Sequence, residues 1–344
     1  MAYTTIDKSS LHFNTKLWTG NSTNSTAITG VGFQPDMTWI KNRSQTDNHA
    51  IFDAIRGATY RIYPNATDAQ IQATNSLASF DSDGFTLNDG GDANGNGENI
   101  VGWNWKANGA GSANTDGSIN TTATSANTTS GFSMSTASMN ASGTWTIGHG
   151  LGVAPKVVLV KVTGATSDWW MWHESLGGGG KYIKLNINGS SGNDSTVWNN
   201  AVPTSSLFSM GSNTWSQNTT FIAYCFADVQ GFSKMGSYIG NGNADGAFVY
   251  TGFKPAWVLI KNTQANETWM LFDNKRLGYN VANSKLNPDE AAVEGSGTFL
   301  DLLSNGFKIR TSASTLNTNA QSFIYMAFAE APLVGSNNVP ANAR

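Results

Sequence analysis

At 344 residues, the chain is longer than one compact core usually holds, so its length predicts two or three domains. Hydrophobic residues make up 39% of it, which is enough for real cores, but charged residues make up only 12%, about half the usual share. The formal net charge is −3 and no run of Lys or Arg occurs, so we expect no nucleic-acid partner.

The cysteine content and the first residues indicate whether the protein depends on an oxidising compartment or carries an export signal. Cys225 is the only cysteine, which excludes an intrachain disulfide. Residues 1–8 lack the basic end and the apolar run of a signal peptide, and no segment reaches the apolar length that spans a bilayer. We therefore expect a soluble protein with no encoded export signal and no membrane insertion.

A short motif recurs three times along the chain. It begins with Gly-X-X-Pro, a turn in which Gly supplies permissive dihedrals and Pro fixes φ. It continues into a β-branched or aromatic run that is too short for a helix and favours a strand. The turns lie at residues 32–35, 152–155 and 252–255, and the runs at 38–42, 158–161 and 258–262.

Two further landmarks follow each turn in the same order. A short aromatic strand is predicted at residues 50–53, 170–173 and 270–273, and an alternating strand at 100–105, 221–226 and 323–328. In the last of these, both faces are largely apolar, which is typical of a strand packed on both sides or at a domain contact.

Frequent short strands with Gly and Asn turns indicate β-sandwiches. The sequence therefore predicts an all-β protein of tandem β-sandwich domains, built from three divergent internal repeats. We expect domains at residues 1–110, 111–229 and 230–334, the second with a lead-in rich in Gly, Ser, Thr and Asn. Residues 335–344 are expected to form an extended tail.

Two Asp/Asn/Gly loops raise the question of calcium. In the loop at residues 89–98, Asp92, Asn94 and Asn96 match the first half of an EF-hand loop, but the twelfth position is Trp103 and not Glu. The loop at 241–246 fails in the same way. A tight turn between strands is the better interpretation, so we expect no metal and no cofactor.

Residues suited to catalysis are scattered. The histidines, His12, His49, His149 and His173, have no spacing typical of zinc ligands. A carboxylate pair for glycoside hydrolysis stays open as an alternative, because separation in space is not visible in sequence. Its candidates are Asp53, Glu174, Asp273 and Glu330. We expect a protein that is not an enzyme.

Aromatic clusters offer the candidate binding residues. In a strand, the neighbours of the run at 169–172 must point to opposite faces, so some of its rings are expected to face outward or toward an adjoining subunit. Core packing is the expected role of most tryptophans, and contact with an interface or a glycan is the alternative. Trp169, Trp170 and Trp172 are the surface candidates.

Together, these motifs resemble a domain family of uncharacterised function that occurs in structural proteins of marine tailed bacteriophages. The resemblance rests on residues 32–43, 52–57, 80–87, 102–106, 146–155, 236–242 and 324–330. It implies a virion protein with concanavalin-like or jelly-roll sandwiches, of the kind found in tail fibres and other surface appendages. The family supplies no catalytic residues to carry over, and the chain lacks the heptad stalk of a long fibre.

The resemblance and the composition lead to one principal functional prediction. We expect a component of a tail fibre, spike or tip that is assembled in the host cytoplasm and exposed on the particle surface. Its expected partners are other virion proteins, further copies of itself, preferably in a trimer, and a host-surface glycan. A capsid decoration or head-fibre protein that stabilises the head is the alternative, and a glycan-depolymerising enzyme is the third.

Overall fold

The computed structural model describes residues 3–139, 143–212, 215, 218–276, 282–335 and 340. Strands hold 45% of these residues and helices 4%, and the sheets are antiparallel, so the predicted all-β, sandwich-type fold is confirmed. No helix in these residues is long and apolar enough to cross a membrane. The expected tail at 335–344 lies outside the described residues, apart from Gly335 and Pro340.

Unit 1 (residues 13–105) consists of two sheets. Its strands are β1 (Phe13–Thr19), β2 (Thr26–Thr29), β3 (Met37–Asn42), β4 (Ala50–Asp53), β5 (Tyr60–Ile62), β6 (Ile71–Gln72), β7 (Leu77–Asp81), β8 (Gly84–Leu87) and β9 (Asn99–Trp105). A 3₁₀ turn (Ser9–Leu11) precedes β1, and a one-turn helix, α1 (Gly91–Asn94), precedes β9. The larger sheet has the order β1-β9-β3-β4-β5-β6 and the smaller one β2-β8-β7.

Unit 2 (residues 123–226) follows the same plan. Its strands are β10 (Ala123–Asn127), β11 (Phe132–Met139), β12 (Trp145–Gly148), β13 (Val157–Val162), β14 (Trp169–His173), β15 (Lys181–Lys184), β16 (Gly192–Asn193), β17 (Leu207–Met210) and β18 (Thr219–Phe226). A 3₁₀ turn (Glu174–Leu176) follows β14. The sheets have the orders β10-β11-β18-β13-β14-β15-β16 and β12-β17.

Unit 3 (residues 233–332) also has two sheets. Its strands are β19 (Ser233–Ile239), β20 (Phe248–Tyr250), β21 (Phe253–Asn262), β22 (Met270–Asp273), β23 (Ala282–Lys285), β24 (Gly295–Leu303), β25 (Gly306–Ile309) and β26 (Ser322–Pro332). A one-turn helix, α2 (Ser314–Asn317), precedes β26. The orders are β19-β26-β21-β22 and β20-β25-β24-β23.

One strand order recurs in the larger sheet of every unit. The orders β1-β9-β3-β4, β11-β18-β13-β14 and β19-β26-β21-β22 each place the last strand of the unit between an early strand (β1, β11 or β19) and the strand that follows the glycine of the Gly-X-X-Pro motif. At those turns Gly32, Gly152 and Gly252 have φ of 91°, 73° and 84°, a region that favours glycine. The recurring order supports three repeats, whose number and boundaries stay predictions.

Each larger sheet is packed on both of its faces. In unit 1, one face of the sheet packs on the smaller sheet around Phe52, Phe85 and Ile100. The other face carries Trp39, Trp103 and Trp105, which belong to a core shared with the other two units. Strands β3, β13 and β21 are consequently buried at every residue. The prediction that residues 323–328 pack on both faces is confirmed.

An aromatic centre joins the three units. Trp105, Phe226 and Phe328 occupy the same register position, because each pairs with the strand that follows the Gly-X-X-Pro turn of its own unit. The ring centroids lie 6.4 Å apart between Trp105 and Phe226, 5.6 Å between Trp105 and Phe328, and 5.8 Å between Phe226 and Phe328. The units thus pack around a common point, like the subunits of a trimer.

Candidate functional site

Polar contacts close the ring of units around this centre. Oη of Tyr224 in unit 2 donates to Oδ2 of Asp53 in unit 1 at 2.6 Å. Nε1 of Trp103 in unit 1 donates to Oδ2 of Asp273 in unit 3 at 3.0 Å. Both carboxylates end the fourth strand of the larger sheet and reach the last strand of another unit. They therefore tie the units together where the aromatic rings meet.

His173 makes the corresponding contact between units 2 and 3. Its Nδ1 accepts from the backbone nitrogen of Ser175 at 3.1 Å, so Nε2 carries the proton and donates to the carbonyl of Tyr325 at 3.2 Å. Burial lowers the pKa of His173 to about 4, so the ring is neutral at physiological pH. His173 stands where units 1 and 3 have Asp53 and Asp273 because its partner is a backbone carbonyl. A carbonyl needs a hydrogen-bond donor, which an ionised aspartate cannot supply.

The candidate carboxylates for glycoside hydrolysis are each held by a separate cation. Asp53 and Asp273 are buried, and each pairs at 2.6 Å with the arginine three residues later. Burial opposes ionisation of Asp273, but the nearby Arg276 outweighs it, and the pKa of Asp273 lies below its ordinary value. Such a carboxylate is a poor general acid. Glu174 pairs with Lys156, and Glu330 with Lys254.

The tryptophan run lies differently from the prediction. Trp169 and Trp172 are buried, so the expectation that they face outward is wrong for both. The reason is that β14 is covered on both faces: Nε1 of Trp169 donates to the carbonyl of Tyr63 in unit 1, and Nε1 of Trp172 donates to the carbonyl of Gly178. Both indoles therefore belong to the packing of the fold.

Trp170 is half-buried. Its ring contacts those of Tyr182 and Trp215, and Nζ of Lys184 lies 4.5 Å from its centroid. Glycan binding at this ring stays a prediction.

A buried asparagine closes each of the Asp/Asn/Gly loops. Nδ2 of Asn94 donates to the carbonyls of Thr23 and Asn88, and Nδ2 of Asn317 donates to those of Asn243 and Thr311. Asp92, the first candidate calcium ligand, forms an ion pair with Arg61. Among the residues that the structure describes, no group of three or more His, Cys, Asp and Glu is placed to hold a metal.

An open cleft lies where the link from unit 2 to unit 3 meets β20 and the N-terminal segment. Its volume is about 420 Å³, a size that suits a small ligand. We name it the aromatic cleft. Its lining includes Tyr3, Asp228, Gln230, Lys234 and Tyr250. Oη of Tyr3 donates to the carbonyl of Gly252 at 2.7 Å, which holds the N-terminal segment against unit 3.

Tyr250, which lines the aromatic cleft, is one of two exposed aromatic residues on β20. Phe248 and Tyr250 are 47% and 51% exposed, whereas Val249 between them is buried. Side chains alternate along a strand, so both rings project from the same outer face of β20. This strand is the edge of its sheet, and nothing in the described residues pairs with its free side. The two rings therefore present an accessible aromatic surface beside the cleft.

Polar groups line the remainder of the aromatic cleft. Oδ1 of Asp228 accepts from the backbone nitrogen of Met235 at 2.8 Å, and Oδ2 lies 3.9 Å from Nζ of Lys234. Burial and a hydrogen bond with Tyr250 raise the pKa of Tyr3 to about 12, so its phenol stays protonated. The lining thus combines hydroxyl, amide and ammonium donors with carboxylate and amide acceptors next to apolar rings. A saccharide, with hydroxyls at its rim and C–H groups on its faces, matches that combination.

None of the residues that line the aromatic cleft is among the binding candidates predicted from sequence. The alternation of Phe248, Val249 and Tyr250 was the available signal, because an aromatic-apolar-aromatic strand with one buried side must expose the others. Tyr3 and Asp228 gave none, since only the folded chain brings them to Tyr250.

Comparison with known proteins identifies a family. A family model described as "Domain of unknown function (DUF7483)" matches residues 8–332, which include the described parts of all three units. No curated protein and no solved structure matches the chain.

Proposed function

The chain belongs to this DUF7483 family, and from that premise we propose that it is a non-enzymatic structural protein of a tailed-bacteriophage particle, exposed on the virion as part of a tail fibre, spike or tip. The aromatic cleft is proposed to bind a host-surface glycan. The resemblance of residues 32–43, 146–155 and 324–330 to phage structural proteins supports the origin. The observation that carries the recognition role is the exposed pair Phe248 and Tyr250 beside the polar lining.

A glycan in the aromatic cleft would be held by two kinds of contact, stacking on an aromatic ring and hydrogen bonds. A sugar ring can lie on Tyr250 while its hydroxyls exchange hydrogen bonds with Asp228 and Gln230. No bond in the ligand needs to break for this role. The cleft is open, and Tyr250 at the end of the edge strand β20 lines it, which suits reversible attachment to a repeating surface polymer.

A stabilising capsid-decoration protein is the second candidate. The closed packing of three units around Trp105, Phe226 and Phe328 favours it, because such a body can clamp a surface without further folding. The packing also bears on self-association. One chain already buries the faces that a trimer of single sandwiches would share, so the proposed homotrimer would have to use other surfaces.

An adsorption assay tests the recognition role. Purified protein is added to host cells before the phage, and we expect it to bind the cells and to reduce adsorption. Tyr250→Ala should weaken cell binding about tenfold, because stacking area is lost without a change in the core. Ile187→Ala, an exposed apolar side chain in unit 2, is the matched control and should bind as the wild type does. Wild-type protein that neither binds cells nor blocks adsorption would refute the recognition role.

A further inference from the structure

A small polar cavity lies between units 1 and 3. Its volume is about 50 Å³, and its lining includes Phe13, Thr15, Ala256, Asn274 and Glu330. It shares no lining residue with the aromatic cleft. A cavity of this size is large enough for a polar ligand group or for ordered water.

Two side chains of this cavity have no hydrogen-bond partner in the part of the chain that the structure describes. Asn274 and Thr15 are 6% exposed each. Among the described residues, neither Nδ2 nor Oδ1 of Asn274 has a partner, and neither does Oγ1 of Thr15. A buried polar atom without a partner costs about 1–3 kcal/mol, so native proteins seldom keep one without a use. Together the three atoms present at least two donors and two acceptors toward one small space.

The fold itself does not require polar residues at these positions. The backbone nitrogen of Asn274 donates to Ala256, as that of Ala54 donates to Asp36 in unit 1, so Ala54 is the equivalent of Asn274. Thr15 pairs with the last strand of unit 1. At the same register position, Met134 pairs with the last strand of unit 2 and Met235 with that of unit 3.

In the other units, Thr15 is thus replaced by methionine, and Asn274 is replaced by alanine or by Glu174. Glu174 is ion-paired with Lys156. The polar pair is therefore peculiar to the junction of units 1 and 3.

A wider, basic cleft adjoins this cavity. That cleft has a volume of about 330 Å³ and shares Asn14, Thr15 and Lys275 with the cavity. Lys16 and Lys275 line it, and neither forms an ion pair with another described residue. The carboxylate of Asp83, whose pKa Lys16 helps to lower, accepts from the backbone nitrogens of Gly30 and Gly32.

We propose that the cavity and the basic cleft together bind one acidic monosaccharide unit, a hexuronate. The hydroxyls enter the cavity and exchange hydrogen bonds with Asn274 and Thr15. Glu330, held by Lys254 at 2.9 Å, provides a further acceptor for a hydroxyl. The carboxylate remains in the basic cleft, between Lys16 and Lys275. The assignment stands independently of the proposed function, because no residue of the aromatic cleft takes part.

Calorimetric titration of the full chain with D-glucuronate tests the assignment. Wild-type protein is expected to bind with a Kd on the order of 1 mM, and D-glucose and inorganic phosphate each at least about tenfold more weakly. Glucose lacks the carboxylate, and phosphate cannot reach the cavity with several hydroxyls. Phosphate that binds as tightly as glucuronate would reduce the site to a general anion cleft and overturn the proposal, as would no saturable binding of glucuronate.

Variants separate binding from structure. Asn274→Ala introduces the residue type that unit 1 has at the equivalent position, Ala54. It should weaken glucuronate binding about tenfold without lowering the thermal midpoint, because it removes buried polar atoms that lack a partner among the described residues. Lys275→Gln should weaken it to a similar extent, whereas Lys181→Gln in unit 2 and Tyr250→Ala should have no effect. Unchanged binding in Asn274→Ala would contradict the site. If glucuronate fails to bind while Tyr250→Ala still impairs cell binding, only this inference fails.

Discussion

Nε1 of Trp103 donates a hydrogen bond to Oδ2 of Asp273 across 170 residues of sequence, and this bond fastens the first unit to the third. Both side chains are buried, and Asp273 is also held by Arg276. Together with the hydrogen bond from Tyr224 to Asp53, this bond shows that specific polar contacts, as well as aromatic packing, hold the three units together.

Removing the indole nitrogen should measure the strength of this bond. Trp103→Phe is expected to lower the free energy of unfolding by about 2 kcal/mol or more, because a buried carboxylate loses a donor. Trp18→Phe is the control, since its Nε1 donates to the neutral carbonyl of Ala93 within unit 1 and should cost less. Equal losses in denaturant titrations of the two variants would show that the contact between units is not special.

The buried arginine should matter more than any surface cation. Arg276→Met leaves Asp273 and Glu294 without their shared partner, so we expect a loss of about 3–5 kcal/mol in the free energy of unfolding. Lys308→Met, which breaks an exposed pair with Asp245, should have little effect in the same titration. A loss no larger in Arg276→Met than in Lys308→Met would contradict the assigned role of the buried pair.

Stability should fall in mild acid because of His173. Burial lowers its pKa in the folded chain to about 4, whereas the unfolded value is about 6.5, so the unfolded chain binds more protons between these values. The contribution of His173 is therefore complete above about pH 6.5 and declines as pH falls toward 4, by up to about 3 kcal/mol.

His173→Gln keeps a donor for Tyr325 but cannot titrate. Denaturant titrations at pH 7 and pH 5 should show a smaller difference for this variant than for the wild type. An equal difference would assign the acid sensitivity to other groups.

The asparagine-closed loops should respond to mutation and not to calcium. Asn94→Ala removes several hydrogen bonds from a buried amide, so we expect the free energy of unfolding to drop by about 2 kcal/mol. Adding Ca²⁺ or a chelator should leave the thermal midpoint of the wild type unchanged. A midpoint that rises with Ca²⁺ in the wild type and not in Asp92→Asn would revive the calcium interpretation.

The fold was accessible from sequence because its determinants are local. A glycine with positive φ, a following proline and a β-branched run specify the turn and strand at Gly32, Gly152 and Gly252. The apolar character of both faces at residues 323–328 also indicated a strand covered on two sides, as the structure has it. These features depend on neighbours in the chain, which a single sequence displays.

The candidate sites were not accessible in the same way. Trp169 looked like a surface residue because alternation predicts two faces but not which unit covers each. Asn274 and Thr15 are ordinary residues in sequence, and only the packing of units 1 and 3 leaves their side chains without a hydrogen-bond partner among the described residues. A site made between repeats depends on how the repeats pack, which local patterns do not specify.

Our central proposal, that the chain is a virion component, is tested most directly by quantitative mass spectrometry of purified particles of a phage whose genome encodes it. We expect the protein to copurify with the particles, at on the order of ten to a few tens of copies for a tail appendage. On the order of hundreds would assign it to the head as a decoration. A protein that is abundant in the infected-cell lysate but absent from purified particles would show that it is not a virion component.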